Sequence, residues 1–445
     1  MRTGLLHLGL GAFHRAHQAP YTQDAVAAEG GDWGIEAVSM RTPDQARALA
    51  AQGCAYTLVE CHPDGPRTRR IDVIRRTHVR PGGTGALIAR MADPAIRVVT
   101  LTVTEKGYGA DFAAGTLDTG AAEVAADLRD PRGAASVPGL LRAGLAARRA
   151  EGHGGLTLLS CDNLPENGRV LAGLVDAMAR ETDPGLADWI AGTCRFPSSM
   201  VDRITPATTP ETVRLAGDDP CAVETEPFRQ WVIEDAFADG RPAWEAAGAE
   251  IVADVAPYEA MKLRMLNGSH SLIAYLGALA GLDYVRDVMA DARLRAAVAR
   301  LMAAAAGTLS DRLETEGYAA KLMERFENPA IDHRCLQIAM DGSQKMPQRI
   351  LAPAADAAAA GGDVAPFGLA VAAWMRFAET AARLDDPLAD ALRAALRADD
   401  ATGKVAALSR LAGLGQRDVL ARPDIAAAVA AAYDRLVAAG PRRAV

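Results

Sequence analysis

Residues 4–15 read GLLHLGLGAFHR, an apolar run that ends in closely spaced glycines and continues into a helix-forming stretch. A buried strand that turns through Gly9 and Gly11 into a helix is typical of a dinucleotide site. Glycine lets the backbone approach a pyrophosphate, and the helix N-terminus donates N–H groups to it. His14 replaces the usual third glycine, so a tight strand–helix turn without a ligand explains the motif equally well. Its place in the first strand of an alternating pattern favours the dinucleotide site.

The rest of the chain falls into two parts with different patterns. Short apolar runs at residues 33–40, 96–104 and 156–160 are separated by helix-length segments, which favours βαβ units and a parallel sheet. After about residue 256 such runs disappear, and the strong helix formers Ala, Leu, Met and Arg dominate. We therefore predict an α/β domain over residues 1–255 and an all-helical domain over residues 256–445.

Composition excludes several classes of protein. The 445 residues include 48 Lys+Arg and 56 Asp+Glu, a formal net charge of −8, so we expect no nucleic-acid partner. The longest apolar run, residues 272–282, is well below the ~20 residues that span a bilayer. The six cysteines form no CxxC pair and the histidines show no HxxxH or HExxH spacing, so we expect no metal site. Without a signal-peptide pattern at the start, we expect a cytoplasmic enzyme with no membrane segment.

The end of the second predicted strand leaves the choice of dinucleotide open. Many dinucleotide sites carry Asp or Glu there, about 20 residues beyond the glycines, to bind the ribose 2′-hydroxyl. Here residues 38–44 read VSMRTPD, and Arg41 could accommodate a 2′-phosphate or simply face solvent.

A second group of polar residues lies in the helical pattern of residues 259–270, EAMKLRMLNGSH. At ~100° per residue, Glu259, Asn267 and His270 share less than half of the helix circumference with Lys262. Burial would lower the pKa of the lysine and let it accept a proton, and asparagine can donate to a developing alkoxide. A solvated helix face with an ordinary surface lysine explains the same spacing.

Seven segments together resemble the mannitol dehydrogenase family, the polyol-specific long-chain dehydrogenases. They run in family order along the chain: residues 7–18 (HLGLGAFHRAHQ), 56–60 (YTLVE), 102–108 (TVTEKGY), 160–168 (SCDNLPENG), 196–208 (FPSSMVDRITPAT), 262–270 (KLRMLNGSH) and 338–349 (IAMDGSQKMPQR). The resemblance implies a zinc-independent, nicotinamide-dependent oxidoreductase. It also implies a Rossmann-type N-terminal domain, a helical C-terminal domain and an active site in the cleft between them.

The resemblance implies roles for individual residues at the reacting carbon. Lys262 would be the general acid/base, which protonates the carbonyl oxygen as hydride arrives in reduction and takes the hydroxyl proton in oxidation. Asn163 and Asn267 would hold the reacting oxygen, and His270 would orient the substrate.

Further residues would support this centre. Asp202 matches an acidic residue beside the lysine and the cofactor, Glu259 a glutamate that moves protons to solvent, and Lys345 a lysine that binds distal substrate oxygens. We expect NAD and leave NADP open, because the acidic residue associated with NAD preference is absent. The predicted cofactor-binding residues are Gly9, Gly11, Ala12, Phe13, Arg15, Arg41, Thr104, Glu105 and Lys106.

The substrate is the least determined feature. Some mannitol dehydrogenases have Arg eight residues before the Lys of the DGSxK segment, where this chain has Gln337. That version looks more like the sugar-acid branch, in which Arg349 or Arg334 would bind a carboxylate. The preferred pair is D-mannonate and D-fructuronate. The alternatives are D-mannitol and D-fructose, arabinitol, or a nucleotide-binding sensor without catalysis. The expected partner is thus a small polyol or aldonate, and both a monomer and a dimer stay open.

Overall fold

The chain divides into two compact units, Met1–Ala256 and Pro257–Val445. The computed structural model describes residues 1–103, 105–112, 114–130 and 132–445, without the side chains of Glu105 and Lys106. The first unit combines strands and helices, whereas residues 257–445, which are all described, contain helices and no strand. The predicted order of an α/β part followed by a helical part is confirmed.

The strands of the first unit are β1 (Thr3–Leu8), β2 (Gly34–Ser39), β3 (Tyr56–His62), β4 (Gly65–Ile71), β5 (Ile74–Val79), β6 (Val98–Leu101), β7 (Ala110–Asp111), β8 (Thr116–Leu117), β9 (Thr157–Ser160), β10 (Ser199–Asp202), β11 (Val223–Thr225), β12 (Gln230–Glu234) and β13 (Glu250–Val252). Five of them form a parallel sheet in the order β5-β2-β1-β6-β9. The chain winds outward from β1 in one direction and from β6 in the other. Ligands bind in doubly wound sheets outside the carboxyl ends of the strands at such a reversal point.

Strand β1 is buried on both faces of the sheet. Leu5 packs into one hydrophobic core, and Leu6 and Leu8 pack into the other. Because successive side chains of a strand point to opposite faces, a central strand covered on both sides needs a continuous apolar run. This explains why the opening residues reveal the fold so clearly.

Two three-stranded sheets and the two-stranded sheet β7-β8 were not predicted from the sequence. In the three-stranded sheet β11-β3-β4, strand β3 pairs antiparallel with β4, from Tyr56↔Ile71 to His62↔Gly65. The second three-stranded sheet has the order β10-β12-β13. Strand β4 is largely exposed and reads GPRTRRI, so it lacks the apolar run by which the buried strands were recognised.

The first unit also contains nine helices among its described residues. They are α1 (Ala12–Ala16), α2 (Gln18–Glu29), α3 (Asp44–Ala51), α4 (Thr84–Ala92), α5 (Ala122–Arg129), α6 (Val137–Ala150), α7 (Asn167–Thr182), α8 (Pro184–Thr193) and α9 (Pro210–Leu215), with 3₁₀ turns at Glu105–Tyr108 and Trp244–Ala247.

The second unit is a helical assembly around α18, most of which is buried. A helix that is apolar nearly all round belongs in the centre of a bundle. The elements are α10 (Ala256–Met261), a π-helix (Lys262–Asn267), α11 (Gly268–Ala280), α12 (Val285–Ala290), α13 (Ala292–Ala306), α14 (Thr315–Phe326), α15 (Cys335–Ile338), α16 (Gly342–Met346), a second π-helix (Pro347–Leu351), α17 (Ala352–Ala359), α18 (Ala365–Thr380), α19 (Ala389–Ala395), α20 (Ala401–Leu408), a 3₁₀ turn (Arg417–Ala421), α21 (Pro423–Ala439) and α22 (Pro441–Ala444).

The close packing of α6 on a buried carboxylate gives a test of the fold. A Cβ at Gly139 would lie 1.9 Å from Oδ2 of Asp127, which is buried and accepts hydrogen bonds from the Ser136 N–H and hydroxyl. We expect Gly139→Ala to lower the free energy of unfolding by ~1–3 kcal/mol, because the core cannot absorb the added methyl group. The measurement is urea unfolding followed by tryptophan fluorescence.

The matched control is Gly173→Ala on α7, where nothing lies within 4 Å of the added Cβ. That variant should gain ~0.5–1 kcal/mol from the better helix propensity of alanine. Equal stabilities of the two variants would contradict the packing around Asp127.

Candidate functional site

A cavity of about 440 Å³ opens at the carboxyl ends of β1, β2 and β6. Its position at the reversal point of the parallel sheet is where doubly wound folds bind ligands. It is lined by Gly9, Leu10, Gly11, Ser39, Met40, Arg41, Thr42, Gln45, Arg80, Thr102, Val103, Gly107, Glu123 and Val137.

The turn after β1 requires glycine. Gly9 has φ +117°, and a Cβ there would lie 2.0 Å from the carbonyl oxygen of Thr102. The Gly9 carbonyl oxygen accepts a hydrogen bond from Thr102 Oγ1 at 2.8 Å and lies 3.0 Å from His7 Nε2. These contacts hold the turn against the end of β6, and Gly11 then stands at the N-cap of α1. The backbone is therefore bare where a pyrophosphate would approach.

The histidine in place of the third glycine packs into the interior. The rings of His7 and His14 are stacked with their centroids 3.4 Å apart and their planes at 11°. Both rings are buried, and burial lowers the pKa of His7 to about 3 and that of His14 well below its usual value. Two neutral rings can stack at this distance without charge repulsion. His14 therefore packs against His7, whose Nε2 contacts the Gly9 carbonyl oxygen of the turn.

Two arginines line the cavity, one shortly after β2 and one directly after β5. Arg41 and Arg80 both line it, and the Arg80 guanidinium is held by the carbonyl oxygens of Ala134, Ala135 and Ser136. Strand β2 ends in Ser39, at the position where many dinucleotide sites carry an acid. The lining also includes the carboxylate of Glu123, so the wall is mixed in charge.

The other predicted cofactor residues differ in position. Ala12 and Phe13 form the start of α1 and, like Arg15, are not among the described residues that line the cavity. Arg15 is buried; it donates to the carbonyl oxygen of Cys221 at 2.5 Å and to Gln45 Oε1 at 3.2 Å. It therefore supports the cavity wall through Gln45. Thr104 and the side chains of Glu105 and Lys106 lie outside the described residues.

Within the first unit, Asn163 and Asp202 are connected by a residue that the sequence analysis did not single out. Asn163 is exposed in the turn after β9, and Asp202 is the buried last residue of β10. The Asn167 amide donates to the carbonyl oxygens of Asp162 (2.8 Å) and Ser199 (2.7 Å), and its Oδ1 accepts from the Ser199 N–H at 2.9 Å. Asn167 thus fastens the turn that carries Asn163 to the strand that carries Asp202.

In the second unit, the α-helical spacing assumed for residues 259–270 is wrong, because Lys262–Asn267 is a π-helix. An α-helix separates positions five apart by ~140°, whereas π-helical hydrogen bonds close from i to i+5. Lys262 and Asn267 therefore lie on successive turns of one face. Lys262 is only 9% exposed, so it is not the solvated surface lysine of the alternative interpretation. Glu259 is half-buried on α10, just before the π-helix.

A second π-helix brings Arg349 beside the first. Arg349 lies 3.4 Å from both the carbonyl oxygen of Asn267 and Ser271 Oγ. Gly268 allows this approach, since a Cβ there would lie 3.1 Å from the Arg349 carbonyl oxygen. Lys345 Nζ donates to the carbonyl oxygens of Ile338 (3.2 Å) and Met340 (2.6 Å). Burial lowers the pKa of both cationic groups.

Of the two arginines proposed for a carboxylate, Arg334 lies at the surface. It is exposed, with its guanidinium 5.5 Å from the centre of the Tyr284 ring. Arg349 is half-buried next to Asn267. The structure therefore brings Arg349, and not Arg334, to the π-helical residues.

His270 is buried, and its Nε2 has no hydrogen-bond partner among the described residues. Its ring packs 4.7 Å from Phe326 and 5.1 Å from His333, measured between centroids. Burial lowers the pKa of His270 well below its usual value, so the ring is neutral and can donate or accept a hydrogen bond. The sequence analysis missed His333 because a single histidine in a loop carries no local signal.

The described residues contain no group of three or more His, Cys, Asp or Glu side chains that could hold a metal ion. In the same part of the chain, no helix has the length and apolar character needed to cross a membrane.

Comparison with known proteins covers nearly the whole chain. The family description "Mannitol dehydrogenase Rossmann domain" matches residues 3–246, and "Mannitol dehydrogenase C-terminal domain" matches residues 254–437. D-mannonate oxidoreductase of Escherichia coli (strain K12) is 41% identical over 464 residues, covering 100% of this chain and 95% of that protein.

Two solved structures are similar throughout. A D-sorbitol dehydrogenase in substrate-free form has a TM-score of 0.92 at 30% identity and covers 100% of this chain and 95% of its own. A Pseudomonas fluorescens mannitol 2-dehydrogenase, solved as a ternary complex with NAD and D-mannitol, has a TM-score of 0.80 at 34% identity and covers 100% and 94%.

The histidine stack predicts how stability depends on pH. His14 has a folded-state pKa below its unfolded value of ~6.5, so only the unfolded chain takes up this proton as pH falls below that value. The free energy of unfolding should therefore decrease from pH 7 to pH 5. In His14→Phe, which retains an aromatic ring, this decrease should be shallower by up to ~1.4 kcal/mol per pH unit. Urea unfolding at pH 5, 6 and 7 measures it, and identical slopes in both proteins would contradict a buried neutral His14.

Proposed function

The chain belongs to the mannitol dehydrogenase family of oxidoreductases, and from this premise we propose that it transfers hydride reversibly between NAD(H) and a linear sugar acid or polyol. D-mannonate and D-fructuronate are the preferred pair. The observation that carries the proposal is Lys262, buried in a π-helix that also presents Asn267 on the same face.

The first unit fits a dinucleotide. A side chain at Gly9 would collide with the Thr102 carbonyl oxygen, whereas at Gly11 the nearest atom to an added Cβ is the Gly9 carbonyl oxygen at 3.8 Å. The turn is therefore bare backbone, as the approach of a pyrophosphate requires. The cavity beside it is bordered by Arg41 and Arg80, which suit the phosphate and ribose end. The nicotinamide ring supplies or accepts the hydride when the cofactor is bound.

The second unit supplies the proton transfer. A lysine as buried as Lys262 is costly to the fold unless it is paired or takes part in the chemistry. In oxidation it takes the proton of the substrate hydroxyl, and in reduction it returns a proton to the carbonyl oxygen. Asn267 donates to that oxygen, and His270 Nε2 holds a neighbouring substrate hydroxyl. Glu259 passes the proton onward to solvent.

The preference for a sugar acid rests on Arg349 and on the similarity to a D-mannonate oxidoreductase. The hydrogen bonds that Arg349 makes to described residues are long, at 3.4 Å to Asn267 and Ser271, so its fork of N–H donors can bind a carboxylate. Lys345 stands nearby and takes distal oxygens. The whole-length identity of 41% to a D-mannonate oxidoreductase supports this choice. The similarity to a mannitol 2-dehydrogenase makes D-mannitol and D-fructose the second candidate pair.

The proposed proton transfer predicts the effect of Lys262→Ala. Turnover at neutral pH should fall by roughly 10²–10⁴-fold, the usual contribution of a positioned acid/base, while NADH binding stays unchanged. The matched control is Lys321→Ala on α14, an exposed lysine whose loss should leave turnover as it is. Near-normal turnover of the Lys262→Ala protein would overturn the assignment.

The proposed substrate predicts a selective effect of Arg349→Gln. The measurement is NADH oxidation with D-fructuronate and, in parallel, with D-fructose. Both assays are repeated with NADPH in place of NADH and with protein that has been treated with a chelator. The wild-type protein should prefer D-fructuronate, and the variant should raise its KM for that substrate by ~10–100-fold, because a charge-assisted pair is lost. The KM for D-fructose should change little, and Arg334→Gln should behave as wild type. Preference of the wild-type protein for D-fructose would overturn the sugar-acid assignment.

A further inference from the structure

Asp162 stands immediately before Asn163 in the turn after β9, and its bonds reach other elements. Its Oδ2 accepts a hydrogen bond from the Tyr108 hydroxyl at 2.6 Å and from the Val103 N–H at 3.2 Å. The Tyr108 hydroxyl also lies 2.7 Å from Ser160 Oγ. One carboxylate oxygen therefore holds both ends of residues 103–108.

These bonds connect the cofactor cavity to the turn that carries Asn163. Val103 lines the cavity just beyond the end of β6. Strands β6 and β9 are parallel neighbours in register from Val98↔Thr157 to Leu101↔Ser160, so their carboxyl ends meet at one edge of the sheet. Asp162 bridges the two chain segments that leave this edge. A carboxylate that only capped its own turn would not need bonds to Val103 and Tyr108.

We propose that Asp162 is a positioning residue. It holds Val103, which lines the cofactor cavity, close to the turn that carries Asn163. Binding of the cofactor therefore depends on whether the Asp162 carboxylate is ionised. The inference rests on the proposed function, since it takes the bound molecule to be a nicotinamide dinucleotide. Asp162 acts through Val103 and Asn163 and need not touch substrate or cofactor.

The surroundings of Asp162 make its charge sensitive to pH near neutrality. Burial raises the pKa of Asp162 to about 7, and the hydrogen bonds from Tyr108 and Val103 oppose that rise. The titratable groups that face it are Tyr108 and Cys161, whose pKa values are both raised by burial, so both stay neutral around pH 7. The ionised carboxylate accepts stronger hydrogen bonds than the protonated acid. The bridge should therefore be strongest above pH 7 and weaken below it.

The test is the Kd for NADH, measured by quenching of protein fluorescence from pH 6 to pH 8. In the wild-type protein the Kd should fall as pH rises, by about tenfold in total, with the inflection near pH 7. Asp162→Asn keeps the shape of the side chain but cannot ionise, so its Kd should not change with pH. Tyr108→Phe removes a bond that stabilises the ionised form, and its inflection should move to higher pH.

Asp118→Asn, an exposed aspartate beyond β8, is the matched control and should keep the wild-type profile. If the role of Asp162 is purely structural, Asp162→Asn raises the Kd by the same factor at every pH, so its Kd still follows the wild-type pH profile. In that case Tyr108→Phe also keeps the wild-type inflection. Either result overturns the inference while the proposed function stands. If the wild-type protein shows no fluorescence quenching by NADH at any pH, it does not bind the cofactor, and both the inference and the proposed function are overturned.

Discussion

The contact between Gly9 and the carbonyl oxygen of Thr102 is the constraint on which the first unit depends. It joins the end of β1 to the end of β6 at the reversal point of the sheet, at a distance that no side chain could occupy. The Thr102 hydroxyl donates a hydrogen bond to the Gly9 carbonyl oxygen, and His7 Nε2 lies 3.0 Å from the same oxygen. The backbone N–H groups of Gly9 and Leu10 donate to the Val38 carbonyl oxygen, and that of Gly11 donates to the Gly9 carbonyl oxygen. The result is a turn that is held by backbone hydrogen bonds and leads directly into the N-terminus of α1.

The same constraint accounts for the buried histidines. A turn held this closely needs a filled interior beneath it, and the stacked rings of His7 and His14 provide the filling. A glycine at position 14 would leave a void at this point, which costs stability in a close-packed core. The departure from the usual three-glycine pattern therefore reflects packing under the turn.

In the second unit, the polar residues proposed for the site stand on two π-helical segments that contact each other. The two π-helices widen the backbone where Lys262, Asn267 and Arg349 stand, and Gly268 lets the two segments touch. Short π-helical insertions are frequent at functional sites because they shift a few side chains without ending the helix. The α-helices on either side of the first π-helix, α10 and α11, continue the chain, so only the side chains after the insertion are shifted to a different face of the helix.

Local pattern alone determined the parallel sheet, the glycine turn, the helical second half and the family, because these depend on neighbours along the chain. The apolar runs of central strands and the segments around Lys262 are visible in any reading of the residues. Only the tertiary structure decided that β4 forms a hairpin with β3 and that residues 262–267 are π-helical. It also decided that Arg15 points inward to Cys221. The Arg15 contact joins residues 206 positions apart in the chain, which no local pattern can reveal. The exposed strand β4 and the π-helix are local, but neither carries an apolar period that distinguishes it from a loop or an α-helix.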